Sequence, residues 1–207
     1  MDHSESWVDV RSAFEQAADW FVSTAVAGVD RCEVVALGEW TVRDLIGHTS
    51  RALLTVENYL DKEAVAVQVS SPVDYFRAAL ASVGDPAAVA GRGRDAGAAL
   101  GPDVGAAVEE ITNRVLKRVH MEQPDTVVAT PVGGMRLIDY LPTRTFELIV
   151  HTCDLAVALD QPLDLPPNAA AQSLTVLGEL AAQAGTAGPL LLAATGRRTL
   201  TPGFTVL

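Results

Sequence analysis

The feature that most constrains the fold is the helical spacing of the apolar residues. Over four long stretches, apolar side chains recur every three or four residues, which is the period of one face of an α-helix. The first stretch runs from about Ser6 to near Gly28, and the others follow Thr41, Asp103 and Asp139. Four long amphipathic helices bury their apolar faces best against one another. The pattern therefore predicts a mainly all-α protein built as a four-helix bundle.

The starts of the long helices carry local signals. Thr41 is placed as the N-cap of the second helix and Asp44 as its third residue. This is a capping box, in which each side chain accepts a hydrogen bond from the backbone of the other residue. Asp103 is predicted to cap the third long helix and Asp139 the fourth. Pro142 then lies in the first turn of the fourth helix, where the missing N–H costs little. That helix is expected to end near Leu159.

The segments outside the long helices predict smaller elements. Ser71-Pro72-Val73-Asp74 is typical of a helix start, and the pattern predicts a short helix through Val83. Residues 84–102 are rich in Gly and Ala without a clear period, so they are interpreted as a loop with room for one helical turn. Gly133-Gly134 predicts the turn of a small β-hairpin. A helix after Pro166-Pro167-Asn168 and an extended tail from Thr195 complete the chain.

Length, charge and cysteine content narrow the class of protein. The 207 residues suit a single domain, with the bundle core over about 6–160 and a C-terminal helix and tail over about 161–207. The net charge of −11 argues against partners that are nucleic acids or anionic membranes. No apolar run is long enough for a membrane span. Two cysteines and an acidic N-terminus predict a cytoplasmic protein rather than a secreted, disulfide-bonded one.

Three side chains form a candidate metal site. His48 lies in the second long helix, and Glu147 and His151 lie one turn apart in the fourth. If these helices lie side by side, the three can converge on one ion. Two histidines and a carboxylate are the ligands of catalytic zinc sites that keep a fourth position open. Taken alone, His48 is more typical of a half-buried core histidine, and an i,i+4 Glu–His pair is also compatible with a surface-facing position.

Two further charged residues share the face of Glu147 and His151. Asp154 is suited to accept a hydrogen bond from a metal-bound histidine, and its alternative is an ordinary salt bridge. Arg144 is suited to bind a substrate carboxylate through two parallel hydrogen bonds. Its alternative is an ion pair with Asp154 or Glu147, and the sequence favours neither.

Two motif blocks resemble a known family. They are Trp40-Thr41-Val42-Arg43-Asp44 leading to His48, and Arg144-x-x-Glu147-x-x-x-His151-x-x-Asp154-Leu155. Together they resemble the mycothiol-dependent maleylpyruvate isomerase family, part of the DinB/YfiT-like superfamily of metalloenzymes, and the resemblance spans essentially the whole chain. It implies a DinB/YfiT-like four-helix bundle with a small β-hairpin and one divalent metal, usually zinc, on His48, Glu147 and His151. Many DinB-like proteins have a third histidine where Glu147 stands, so Glu147 indicates the mycothiol branch.

The resemblance also implies a function. The expected protein is a zinc-dependent enzyme that uses a low-molecular-weight thiol, mycothiol, as an isomerase or S-transferase on a small electrophilic substrate. The characterised isomerase has an additional α/β C-terminal domain, for which residues 161–207 are too short, so the substrate stays open. The alternative is a non-catalytic metal-binding bundle, either a sensor or a structural protein, in which a fourth protein ligand closes the site. The chain is expected to be a monomer or a dimer.

Overall fold

The computed structural model describes residues 3–63, 66–81 and 86–207, with side chains for 7–63, 66–81 and 90–207. The α-helices in these residues are α1 (His3–Ala27), α2 (Val42–Leu60), α3 (Pro72–Ala81), α4 (Pro86–Ala99), α5 (Val104–Met121), α6 (Leu137–Ala158), α7 (Pro167–Gln183) and α8 (Ala187–Ala194), and a short 3-10 helix at Val29–Arg31 follows α1. The strands are β1 (Val35–Leu37), β2 (Trp40–Thr41), β3 (Val127–Thr130) and β4 (Gly133–Arg136). The fold is mainly α-helical, as predicted.

Four long helices form the bundle. Helix α1 contacts α5 and α6, and α2 contacts the same two helices from the other side, so the four close into a ring. Their inward faces carry the largest fully buried side chains, among them Phe14, Phe21, Leu45, Leu53 and Leu148. This arrangement confirms the predicted DinB-like four-helix bundle, and it places α2 beside α6, the two helices that carry the candidate ligands.

The predicted N-caps of α2 and α5 are confirmed. Thr41 Oγ1 accepts a hydrogen bond from the Asp44 amide at 3.2 Å, and Asp44 Oδ2 accepts one from the Thr41 amide at 3.0 Å. At the start of α5, Asp103 Oδ1 accepts a hydrogen bond from the Ala106 amide at 3.0 Å. Each contact satisfies a backbone N–H that has no partner within its own helix.

The start of α6 differs from the prediction. The helix begins at Leu137, so Asp139 lies inside its first turn instead of capping it, and Pro142 lies in the second turn. The Asp139 carboxylate is held by Arg136, whose Nε lies 2.6 Å from Asp139 Oδ2, and it therefore offers no cap to the backbone. A negative charge in the first turn still favours the helix through its dipole. The predicted end of this helix near Leu159 is confirmed.

The largest error of the sequence-based prediction concerns residues 84–102. They were expected to form a loop, but residues 86–99 form the helix α4, which packs along α2. The contact depends on glycine, because a methyl group at Gly47 would collide with the backbone of Gly97. Small residues leave little apolar periodicity to read, and a helix of this kind is stabilised by close backbone approach. The predicted end of α3 at Val83 lies outside the described residues.

The β3–β4 hairpin forms where it was predicted, but its turn is different. Strand pairing joins Thr130 to Gly133, so the turn residues are Pro131-Val132 and both glycines belong to β4. Gly134 is needed for another reason: the Gln68 amide donates to its carbonyl at 2.8 Å, and a side chain there would meet the Ala66 carbonyl. The two glycines therefore let the chain segment at residues 66–69 pass close to β4, and they do not form the turn.

The remaining differences are small. The strand pair β1–β2, which precedes α2, was not predicted. The predicted C-terminal helix is divided into α7 and α8 at Gly185, which has a positive φ of 72°. Past α8 the chain turns at Gly196, which has a positive φ of 71°, and it contains no further helix or strand. Among the described helices, none is both long and apolar enough to cross a membrane.

Candidate functional site

A cavity of about 260 Å³ lies where α2, α3 and α6 meet. Helices α2 and α6 run antiparallel along it, because His48 meets His151 at one end and Thr55 meets Tyr140 at the other. The polar and aromatic groups that line the cavity are His48, Arg51, Thr55, Tyr59, Tyr75, Phe76, Arg144, Glu147 and His151. Four of the five predicted site residues, His48, Arg144, Glu147 and His151, therefore line the same cavity, and Asp154 does not.

The predicted ligand residues come together at one end of this cavity. The imidazole rings of His48 and His151 have centroids 4.7 Å apart and lie nearly perpendicular, at 87°. Glu147 Oε2 lies 3.3 Å from His151 Nε2. Glu147 and His151 are adjacent because they are one helical turn apart, whereas His48 joins them only because α2 packs against α6.

Burial and neighbouring charges separate the two histidines. Burial, aided by the charge on His151, lowers the pKa of His48 to about 4. Burial also opposes the charge on His151, but hydrogen bonds to Asp154 and Glu147 outweigh it and raise the pKa of His151 to about 9. Burial of Glu147 is likewise outweighed, mainly by its hydrogen bond to His151, and the pKa of Glu147 is lowered. Without a metal, a neutral His48 thus faces a His151–Glu147 ion pair.

Asp154 lies behind His151 and outside the cavity lining. Its Oδ2 is 3.2 Å from His151 Nδ1, on the opposite edge of the ring from Glu147. Within the described chain no Lys or Arg lies within salt-bridge distance of Asp154. The partner of Asp154 is therefore His151. When His151 Nδ1 carries the proton that it donates to Asp154, the other ring nitrogen, Nε2, is directed towards Glu147 and the cavity.

Arg144 lies one turn from Glu147 and is held by aromatic rings. Its guanidinium carbon is 5.3 Å from the centroid of Tyr75 and 5.1 Å from that of Tyr140, and its Nε donates to Thr143 Oγ1 at 3.0 Å. The residue is only 8% exposed. No carboxylate of the described residues lies within 4 Å, so the ion pair considered as an alternative is not formed. The stacked rings stabilise a buried cation that lines the cavity without an anionic partner.

Sequence reasoning missed several residues of the cavity. Arg51 lines it one turn after His48 and, like Arg144, has no salt bridge with any described carboxylate. Tyr59 and Tyr75 complete the aromatic end. The i,i+3 spacing of His48 and Arg51 was a usable signal for a shared face. Tyr75 had no such signal, because α3 reaches the cavity only through tertiary packing.

The donor atoms suit a zinc ion. No group of three or more His, Cys, Asp or Glu side chains in the described ranges is already arranged as a metal cluster. The ligand types nevertheless match a catalytic zinc site, and the buried His48 Nδ1 has no hydrogen-bond partner among the described residues. The 3.3 Å between His151 Nε2 and Glu147 Oε2 is close to the ~3.3–3.4 Å that separates two tetrahedral ligands at ~2.0–2.1 Å from zinc.

Comparison with known proteins identifies the family. The profile of the mycothiol maleylpyruvate isomerase N-terminal domain matches residues 10–156, a range that includes His48, Glu147, His151 and Asp154. Searches among curated proteins and among solved structures found no match. Since the matched range covers most of the chain, the protein belongs to the mycothiol maleylpyruvate isomerase N-terminal domain family.

Proposed function

We propose that this protein is a zinc-dependent enzyme that uses a low-molecular-weight thiol, mycothiol, to isomerise or S-conjugate a small electrophilic acid. One observation carries the proposal: two imidazoles and a carboxylate meet at one end of a cavity that also contains the buried guanidinium of Arg144, which forms no ion pair with any described carboxylate. Membership of the family is the reason for proposing mycothiol as the thiol and isomerisation as a reaction.

The metal would be held by His48, Glu147 and His151. When bound to three protein ligands, zinc keeps a fourth position open and favours the deprotonated form of a thiol that occupies it. Asp154 accepts a hydrogen bond from the protonated Nδ1 of His151, which leaves Nε2 without a proton and able to act as a ligand. Because Asp154 lies behind His151 instead of at the open position, its placement favours a catalytic site over a closed structural one.

The substrate acid would lie along the seam between α2 and α6. Arg144 can bind its carboxylate through two parallel hydrogen bonds, and Tyr75 and Tyr140 fix the plane of the guanidinium. A thiolate that adds to the far carbon of a double bond next to this carboxylate would form a C–S bond, break the π bond and leave the electron pair on the carbon beside the carboxylate. Rotation about the resulting single bond and loss of the thiolate would restore the double bond as the isomer, whereas transfer of a proton from water to that carbon would keep the sulfur and give an S-conjugate. Both outcomes require the same residues.

Replacement of Arg144 tests the function directly. For an α,β-unsaturated acid, we expect Arg144→Met to lower kcat/KM about 10- to 100-fold, since hydrogen bonds to a charged group contribute about 1.5–3 kcal/mol. Steady-state turnover by zinc-loaded protein with thiol present measures this loss. The neutral amide of the same acid is the matched control, and its turnover should be nearly unchanged. Equal losses for acid and amide would show that Arg144 does not bind the carboxylate.

A second prediction concerns Asp154. Asp154→Asn removes the acceptor charge behind His151, so the ring is oriented less firmly and zinc affinity should fall ~10- to 100-fold. Competition against a zinc-binding dye measures the affinity, and circular dichroism should show an unchanged helix content. Asp160→Asn is the matched control, because Asp160 follows α6 and pairs with Arg31 away from the cavity. If both variants keep the zinc affinity of the unaltered chain, Asp154 has no role in the site.

A further inference from the structure

The two histidines of the site are oriented in different ways. His151 is anchored through both ring nitrogens, by a hydrogen bond between Nδ1 and Asp154 and by an ion pair between Nε2 and Glu147. The imidazole of His48 makes no hydrogen bond to any of the described residues, and its Nδ1 is buried. The second torsion of a histidine side chain has broad energy minima, so a ring without a hydrogen bond needs packing to fix its plane.

Trp40 supplies that packing. Its ring centroid is 4.4 Å from that of His48, with the two planes inclined by 35°. His151 stands on another side of His48, at 4.7 Å and almost at right angles. Trp40 is itself 8% exposed and lies just before the first turn of α2. The His48 ring is thus enclosed by two aromatic rings and has little freedom to rotate.

Helix α4 holds Trp40 in place. The indole Nε1 donates a hydrogen bond to the Ala90 carbonyl at 3.0 Å. Gly93 lies directly against the ring, because a methyl group at this position would stand 2.6 Å from both Cζ2 and Nε1 of Trp40. Carbon atoms in contact normally stay about 3.5 Å or more apart, so the indole fits there only because residue 93 has no side chain.

We infer that Trp40 is a positioning residue for the metal ligand His48, and that α4 sets its position through Gly93 and the Ala90 carbonyl. The inference rests on the proposed metal site and extends it to a helix that contributes no ligand. Trp40 performs for His48, by stacking, the task that Asp154 performs for His151 by hydrogen bonding. A displaced indole lets the His48 ring turn, and its nitrogen no longer points at the ion.

Cobalt(II) is the probe, because its visible absorption reports on both binding and ligand geometry. We expect Gly93→Ala to weaken cobalt binding ~10- to 100-fold, as loss of an orienting partner does, and to change the shape of the visible bands. Gly91→Ala is the matched control, since it lies in the same helix and a methyl group there meets no atom within 4 Å. It should bind cobalt like the unaltered chain. Trp40→Leu should behave like Gly93→Ala, and Trp40→Phe, which keeps an aromatic face, should retain most of the affinity.

The outcomes separate this inference from the proposed function. If the unaltered chain binds cobalt and both Gly93→Ala and Trp40→Leu match it in affinity and spectrum, the inference is wrong and the metal site stands. If the unaltered chain binds no cobalt, the proposed function fails and the inference fails with it. Circular dichroism verifies folding of each variant. Should Gly93→Ala not fold, Trp40→Leu decides the question, because it removes the stacked ring without adding atoms.

Discussion

Either His48→Ala or His151→Ala is expected to abolish stoichiometric metal binding. Each substitution removes one of three ligands, and the two that remain no longer offset the cost of stripping water from the ion. Protein purified without a polyhistidine tag and dialysed against trace zinc should retain about one ion per chain before substitution and almost none after it. Elemental analysis by mass spectrometry gives this number.

The control for this prediction is another histidine of the same chain. His120 lies on α5 with its side chain 53% exposed and pairs with Glu15, away from the cavity. His120→Ala should therefore keep the full metal content. A stoichiometric ion retained by both His48→Ala and His151→Ala would mean that the metal is bound elsewhere, and the proposed site would be wrong.

The metal-loaded protein is expected to bind mycothiol much more tightly than the metal-free protein. An ordinary thiol has a pKa of ~8.5 and must lose its proton to act as a zinc ligand. Below that pKa, apparent affinity should rise with pH, because less proton is displaced on binding. Above it, this gain should level off, since the free thiol is already deprotonated. Calorimetry in buffers of different ionisation enthalpy measures both the affinity and the released proton.

The matched control is a mycothiol analogue with serine in place of cysteine. The analogue keeps every contact of the sugar portion but has no sulfur, so it should bind weakly whether or not zinc is present. Equal binding of mycothiol to the zinc-loaded and the metal-free protein would contradict the account. In that case the thiol would be recognised through its sugar portion alone.

The bundle was predictable because its signals are local. The apolar stripes of the long helices, the capping box of Thr41 and Asp44, and the Asp103 cap each lie within a few residues of sequence. Helix α4 was missed because its stability depends on Gly47 and Gly97, which are distant in sequence and have no side chains to form a pattern. The hairpin glycines were assigned to the turn for a similar reason: the segment that crosses Gly134 comes from residues 66–69.

The residues of the site likewise fall into two groups, those that helical spacing predicts and those that only tertiary packing brings together. Glu147, His151 and Asp154 are spaced by one helical turn, so their common face could be read from the sequence. Their convergence with His48 depended on two helices lying side by side, and the motif resemblance supported that expectation. The stacking of Tyr75 on Arg144 and of Trp40 on His48 could not be read in this way. Tyr75 comes from α3 and Trp40 from β2, so no helical spacing connects either ring to its partner.

A crystal structure of the zinc-loaded protein, with anomalous data at the zinc edge, would show whether His48, Glu147 and His151 bind one metal ion. One strong anomalous peak per chain is expected at the end of the α2–α6 cavity, with ligand atoms of His48, Glu147 and His151 at ~2.0–2.2 Å. The fourth position should be held by water or by added thiol. A cavity without a peak, in crystals grown with excess zinc, would contradict the account, as would a peak bound by other residues.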